Sequence, residues 1–298
     1  MRRLIAWPPI RRAAAATAAL LVAATVAACD RRSAAAETIV HVERSAWQTI
    51  TVADSATRRC LRFGPGAEAL LQSCKLLARP EHLAFDYTRA MVAALLLWQP
   101  EPGRVLLIGV GGGSIPAALA SVRPDVSIDA VDIDEAVLRI ARQYFGLVPG
   151  PRLRLHAADG AAWIASARAR GETFDAVLLD AFDSEGVPPA LFSDTFLADV
   201  RGVLAPGGVF LANTFVRAAS YGRETAAAER VFGRFLDLRL RTAGGNRVLI
   251  AASQRERLPE AKALTARLPA QRESLARLGI DADWFRTLRF VDRDRGAP

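Results

Sequence analysis

The apolar run Val105-Leu106-Leu107-Ile108 passes straight into Gly109-Val110-Gly111-Gly112-Gly113-Ser114 and then into a helical pattern. A strand, a glycine-rich bend and a helix in that order turn backbone N–H groups toward one spot, and glycine lets the main chain approach a ligand closely. By itself such a loop reads equally well as a tight turn. Its context argues for a nucleotide-type site, because Asp132 ends the next apolar run roughly twenty residues on, where an acid takes ribose hydroxyls in doubly wound sheets. No lysine follows the glycines, so the loop is not of the phosphate-gripping P-loop kind.

Around this unit the same alternation repeats. Strand-length apolar runs fall at 104–109, 127–132, 153–157, 176–180, 209–214 and 248–253, with helical patterns at 116–122, 135–146, 160–169, 190–204 and 220–235. A further apolar helix is expected over 83–98. Strands buried on both faces and joined by helices imply an α/β fold, a mainly parallel sheet with helical layers on each side. Acids close three successive strands: Asp132, then Asp159 before Gly160, then Asp180 with Asp183. A lone Asp before Gly is usually a turn or helix cap. Four acids at three successive strand ends are harder to explain as caps, and a dinucleotide dehydrogenase has no need of the Asp180/Asp183 pair.

Residues 39–77 follow a different rule. Runs at 39–43, 47–52, 60–63 and 70–74 have β character, and Gly64-Pro65-Gly66 turns the last pair, so a small antiparallel sheet is expected. Cys60 and Cys74 flank that turn and either bridge or sit as two separate buried thiols. Before this sheet, Arg2, Arg3, Arg11 and Arg12 precede an uninterrupted apolar run over 13–28, shorter than the roughly 20 residues that span a bilayer. Val26-Ala27-Ala28-Cys29 resembles a bacterial lipobox with Cys29 as the lipidated residue, and Asp30 resembles an inner-membrane retention signal. The expected protein is an inner-membrane lipoprotein facing the periplasm and touching the membrane only through that lipid. A plain signal peptide, an uncleaved anchor, or a misassigned start on a cytoplasmic protein are the other readings. The domains so drawn are a signal peptide at 1–29, a β-domain at 30–80, a nucleoside-binding catalytic domain at 81–255 and a helical tail at 256–298.

Composition narrows the partners. The net charge of +8 raises nucleic acid, but the cations are scattered and nearly all arginine, Lys75 and Lys262 being the exceptions. No nucleic-acid partner is expected. Three cysteines without C-x-x-C spacing, and His41, His82 and His156 far apart in sequence, give no metal site.

In the order of its motifs the chain resembles the spermidine synthase family, polyamine aminopropyltransferases of the class I methyltransferase fold. The resemblance covers about residues 39–253. It rests on Trp47-Gln48-Thr49-Ile50, Gln72, the glycine loop, Val131-Asp132-Ile133-Asp134, Ala158-Asp159-Gly160, the stretch from Phe174 to Asp183, and Leu204-Ala205-Pro206-Gly207-Gly208-Val209. It implies a Rossmann-like class I methyltransferase domain behind a small N-terminal antiparallel β-domain, and leaves room for a homodimer. It also implies an enzyme that moves an aminopropyl group from decarboxylated S-adenosylmethionine, a co-substrate, to a polyamine such as putrescine.

Residue by residue, the resemblance puts Asp132 on the ribose, and Asp159 with Gly160 on the adenine. Gly109, Gly111, Gly112 and Gly113 lie around the nucleoside, with Gln48 and Gln72 at its tail and the amine pocket. Asp180 is the general base and Asp183 a second contact to the cationic amine, while Tyr87, in Phe85-Asp86-Tyr87, loosely matches a Tyr-His-Glu-like triplet. An amine of high pKa is protonated and unreactive until desolvated and relieved of a proton, which paired carboxylates accomplish. Two departures stand out: Gly112 occupies a place where the family carries an acid, and Asp180-Ala181-Phe182-Asp183 replaces a serine-rich loop. Without an acid at 112, ordinary S-adenosylmethionine, which keeps its carboxylate, meets less repulsion. The alternatives are therefore an S-adenosylmethionine-dependent methyltransferase of unknown acceptor, and a non-catalytic nucleoside- or polyamine-binding lipoprotein.

Overall fold

The computed structural model describes residues 37–66, 69–183, 186–242 and 245–294. Cys29 and the leader lie outside them. Strands β1 (Thr38–Arg44), β2 (Thr49–Asp54), β3 (Arg58–Phe63) and β4 (Leu70–Leu76) pair antiparallel in sequence order. Cys60 and Cys74 stand directly opposite each other on β3 and β4 and are joined by a disulfide. The 14-residue separation makes that link worth about 3 kcal/mol of denatured-chain entropy. One residue later on the return path the register slips, leaving Gln72 as the unpaired residue of a β-bulge, a device that re-aims a side chain.

The second sheet holds eight strands in the order β12-β10-β11-β9-β8-β5-β6-β7. These are β5 (Arg104–Ile108), β6 (Ser127–Asp132), β7 (Leu153–Ala157), β8 (Phe174–Leu179), β9 (Leu204–Phe215), β10 (Arg234–Arg239), β11 (Asn246–Ala252) and β12 (Arg289–Asp294). Strands β5 to β9 run parallel, and β10, β11 and β12 pair antiparallel. Chain order reverses between β5 and its neighbours β6 and β8, the point at which such sheets open a ligand crevice at their carboxyl ends.

Six helices form the layers: α1 (Asp86–Trp98), α2 (Ser114–Val122), α3 (Glu135–Phe145), α4 (Gly160–Ala169), α5 (Asp194–Val203) and α6 (Tyr221–Phe232). Every residue of α1 from Ala90 to Leu97 is fully buried. A helix apolar on all sides needs cover on all sides. One side of α1 lies on β9 and β11, and the other is closed by the late helices α7 (Ala261–Thr265) and α8 (Leu268–Arg277), with Arg267 Nη1 donating to the carbonyls of Leu97 and Trp98. A short helix α9 (Ala282–Arg286) then leads to β12.

The N-terminal sheet seats Ile50, Val52 and Leu61 on Val137, Ile140 and Phe145 of α3. Arg59 and Lys75 add hydrogen bonds to the carbonyls of Tyr144 and Phe145, cations placed at the negative end of that helix.

Several boundaries differ from the sequence pattern. The helix expected from 83 begins at Asp86, because Leu83 instead bridges Lys75. The helix expected to reach 235 stops at Phe232: Gly233 takes φ 75°, and Arg234–Arg239 runs on as β10. A short strand buried on both faces has no periodicity that separates it from a helix end. The stretch 190–204 divides into a 3-10 turn at Pro189–Phe192 and α5. The segment after 256 holds short helices and adds β12 to the sheet edge.

Candidate active site

The glycine-loop side of the rim is built from backbone. Gly109, Gly111 and Gly113 hold φ of +91°, +53° and +75°, conformations that favour glycine. At Gly109 a Cβ would lie 2.3 Å from the carbonyl oxygen of Asp180, so the ends of β5 and β8 meet only because that position has no side chain. Asp132, closing β6, accepts the N–H of Val110 on Oδ2 at 2.9 Å and that of Asp134 on Oδ1 at 3.0 Å. Burial pushes its carboxyl above the ordinary value, while the N–H groups of Val110, Asp134 and Gly111 pull the other way. The result is a carboxylate turned onto the glycine loop at the strand end where the sequence put a ribose contact.

Asp159 and Gly160 both have a local structural task. Asp159 Oδ1 accepts the Ala162 N–H at 2.8 Å and caps α4, and a Cβ on Gly160 would sit 2.5 Å from Ile108 Cγ2. Together they bring α4 hard onto the end of β5. Gln48 lies in a turn organised by Ser45, whose Oγ bonds both the Gln48 N–H and its carbonyl and donates to Asp134 Oδ2 at 2.5 Å. That ties the Gln48 turn to the residue two places from Asp132. Gln72 occupies the bulge, and its neighbour Ser73 faces the loop. A Cβ on Gly112 would be 2.8 Å from Ser73 Oγ and 2.9 Å from the Phe145 ring. Position 112 therefore has no room for an acidic side chain unless both neighbours move.

The opposite side is built from side chains. Asp180 follows β8, partly open to solvent at the floor of the rim, and accepts hydrogen bonds from Asn213 Nδ2 at 3.0 Å and from the Tyr87 hydroxyl. Burial drives its carboxyl up to about 6, against the lowering effect of those two donors. Tyr87, half-buried beside this carboxylate, is raised well above its usual value, first by desolvation and then by the neighbouring charge. A carboxylate poised close to neutral pH, with a phenol held neutral at its side, has the character of a general base. Asp183, three residues on, closes its own loop: its Oδ1 accepts the Gly186 N–H at 3.0 Å and its N–H donates to the Gly186 carbonyl.

The structure thus brings the glycine loop, Asp132, Asp180 and Tyr87 to one rim, with Gln48 and Gln72 on the sheet that leans over it. Asn213 and Ser73 were not singled out in the sequence. Asn213 carries a signal, an amide that directly follows the apolar run Val209-Phe210-Leu211-Ala212, whereas Ser73 has none. A separate solvent-open hollow of about 700 Å3, lined by Arg104, Asp129, Arg154, His156, Trp163 and Glu172, lies nearer the amino ends of the strands. Its ions are spent on one another, Asp129 accepting from Arg104 and Arg154 and lying 2.8 Å from His156 Nε2. Among the described residues no group of three or more His, Cys, Asp or Glu is gathered to hold a metal, and no helix is long and apolar enough to cross a membrane.

The family model of the spermine/spermidine synthase domain matches residues 84–225, which includes α1, the glycine loop and all four rim acids. A polyamine aminopropyltransferase of Vibrio vulnificus is 35% identical over 263 residues, 88% of this chain and 87% of that protein. The chain belongs to the spermidine synthase family. Its α/β architecture is that of its solved relatives: a probable spermidine synthase from Corynebacterium glutamicum superposes with TM-score 0.64 at 21% identity, covering 84% of this chain and 93% of that one. Human methyltransferase-like protein 13, solved with SAH, superposes with TM-score 0.58 at 30% identity, over 65% of this chain and 93% of that one. Spermidine synthase family membership thus comes with a fold shared by methyl-transferring proteins.

Proposed function

We propose that this protein is an aminopropyl-transferring enzyme that takes decarboxylated S-adenosylmethionine as donor and a polyamine such as putrescine as acceptor. The observation that carries the reading is Asp180, a carboxylate whose backbone abuts Gly109 of the glycine loop, pushed to about 6 and held by Tyr87 and Asn213. Asp132 and the loop N–H groups hold the nucleoside. Asp180, with Asp183 along the same loop, draws in the acceptor cation and takes one proton from its ammonium. The freed nitrogen lone pair forms a C–N bond to the aminopropyl carbon, the C–S bond breaks, and its electron pair stays on sulfur, turning the sulfonium into the neutral thioether methylthioadenosine. The balance closes with no metal and no redox partner. Mixing the protein with putrescine and decarboxylated S-adenosylmethionine tests this reading, with methylthioadenosine and spermidine as the expected products. Their absence, with both ligands shown to bind, overturns it.

Methyl transfer from S-adenosylmethionine is the second reading, favoured by the loop at Gly112. With Ser73 Oγ and Phe145 filling the space a side chain would take, no acid repels the donor's own carboxylate. The 30% identical human methyltransferase-like protein solved with SAH supports the same reading. S-adenosylhomocysteine formed in place of methylthioadenosine would decide for it. We further place the protein in the cell envelope, anchored by a lipid on Cys29; the Cys60–Cys74 disulfide supports an oxidising compartment. Loss of membrane association in Cys29→Ala is the expected result.

A further inference from the structure

Behind Asp180 lies a file of uncharged side chains that the reaction does not touch. An asparagine amide has one end that donates and one that accepts. Asn246 Nδ2 donates to Asn213 Oδ1 at 3.1 Å, and both residues are buried. With its oxygen taken, Asn213 has only Nδ2 to present to Asp180 Oδ1, at 3.0 Å. The orientation of Asn246 is set in turn by Thr242, whose Oγ1 accepts the Asn246 N–H at 3.0 Å and directs its own proton to Asn246 Oδ1 at 2.8 Å. From Thr242 inward each side chain donates to the next, and the file ends on a carboxylate oxygen.

We infer that Asn246 and Thr242 are positioning residues, which lock the Asn213 amide so that it can only donate to Asp180 and so keep that carboxylate charged and ready to accept a proton. Reversing the file would turn Asn213 Oδ1 onto the Asp180 carboxylate, two acceptors face to face at a buried site with no proton between them, an arrangement that burial disfavours. The relay therefore opposes the burial that pushes Asp180 toward its neutral form. Around Asp180, α1 contributes the titratable Tyr87, the end of β5 contributes the Gly109 backbone, and β9 and β11 contribute the two amides. Asp183 on the same loop turns its Oδ1 to the Gly186 N–H, and Arg247, next to Asn246, points to the other face, onto Glu224 and Asp237.

The inference rests on Asp180 being the base, so its test reads Asp180 without turnover. In protein labelled with 13C at aspartate carboxyls, the signal lost in Asp180→Asn reports the titration of Asp180 in Asn246→Asp and Thr242→Val, each alone and combined with Asn213→Leu. An acid at 246 that only accepts captures Asn213 Nδ2 and turns its oxygen inward. The Asp180 midpoint then rises by about one pH unit or more, and the acid limb of kcat rises with it while KM for the donor stays. Thr242→Val gives a smaller rise in the same direction. In the Asn213→Leu background both effects shrink to less than half, since only direct charge effects remain. Equal shifts with and without the Asn213 amide, or no shift in either single variant, overturn the relay. If Asn246→Asp does not fold, the Thr242→Val cycle alone decides. A midpoint that moves while the kcat profile does not would remove Asp180 as the base and leave the relay standing.

Discussion

The two sides of the rim solve the same problem, holding an acid at a strand end, by different means. On the nucleoside side Asp132 and Asp159 are fixed by main-chain N–H groups, of the glycine loop in one case and of the first turn of α4 in the other. On the acceptor side Asp180 is fixed by the side chains of Tyr87 and Asn213, drawn from α1 and β9. Backbone donors cannot be mutated away or re-tuned, which under the proposed function suits a nucleoside that stays the same. Side-chain donors can be exchanged one at a time, so on that proposal the Asp180 side is where charge and specificity would be adjusted.

The largest effect is expected where the sides meet. Gly109→Ala places a Cβ against the Asp180 carbonyl at a left-handed φ, so it should cost about 3 kcal/mol or more of stability by urea unfolding and abolish both donor binding and turnover. Asp180→Asn should cut kcat by about 10^2 to 10^4 while donor affinity by calorimetry changes less than about twofold. The same variant should be more stable than the wild type above pH 6. Folded Asp180, at about 6, binds a proton more readily than the unfolded group at 3.8, so wild-type stability falls as pH rises from roughly 4 to 6 and stays lower beyond. Burying that charge costs on the order of 2 kcal/mol, reduced where solvent reaches the carboxylate.

Asp132→Asn should do the reverse of Asp180→Asn, weakening the donor about 10- to 100-fold with a smaller change in turnover of the bound complex. If these two variants gave the same pattern, the division of the rim into a binding side and a reacting side would fail. The smallest effect is expected from Tyr87→Phe. Losing a hydrogen bond that favours the charged carboxylate should move the acid limb of the pH–rate profile up by about half a unit and slow turnover a few-fold at pH 6, with little change at pH 8.

The same division governs what the sequence discloses. Backbone-built features leave local marks: glycines at 109, 111 and 113 take unusual φ, and acids follow apolar runs, so the glycine loop and the acids at the strand ends are legible in the spacing. The side-chain-built features leave none. Asn213, Asn246 and Thr242 become neighbours only because β9 and β11 pair antiparallel, with Asn213 against Val248 and Asn246 against Phe215. The strand β10 was hidden behind α6 because its central residues are buried on both faces, and β12 because its charged residues resemble the polar helices before it. Gly112 was visible as a departure from the family, but its cause, Ser73 and Phe145 crowding from two other elements, belongs to the tertiary structure.

The enclosure of α1 has a consequence for biosynthesis. Synthesis runs from the N-terminus, so the helix at 86–98 leaves the ribosome long before the segments at 261–277 that shield its outer side exist. A chain stalled in that interval carries an uncovered greasy rod, a target for chaperones and proteases. Deleting everything after residue 255 should therefore yield aggregates rather than a smaller working enzyme, although that segment supplies none of the rim acids.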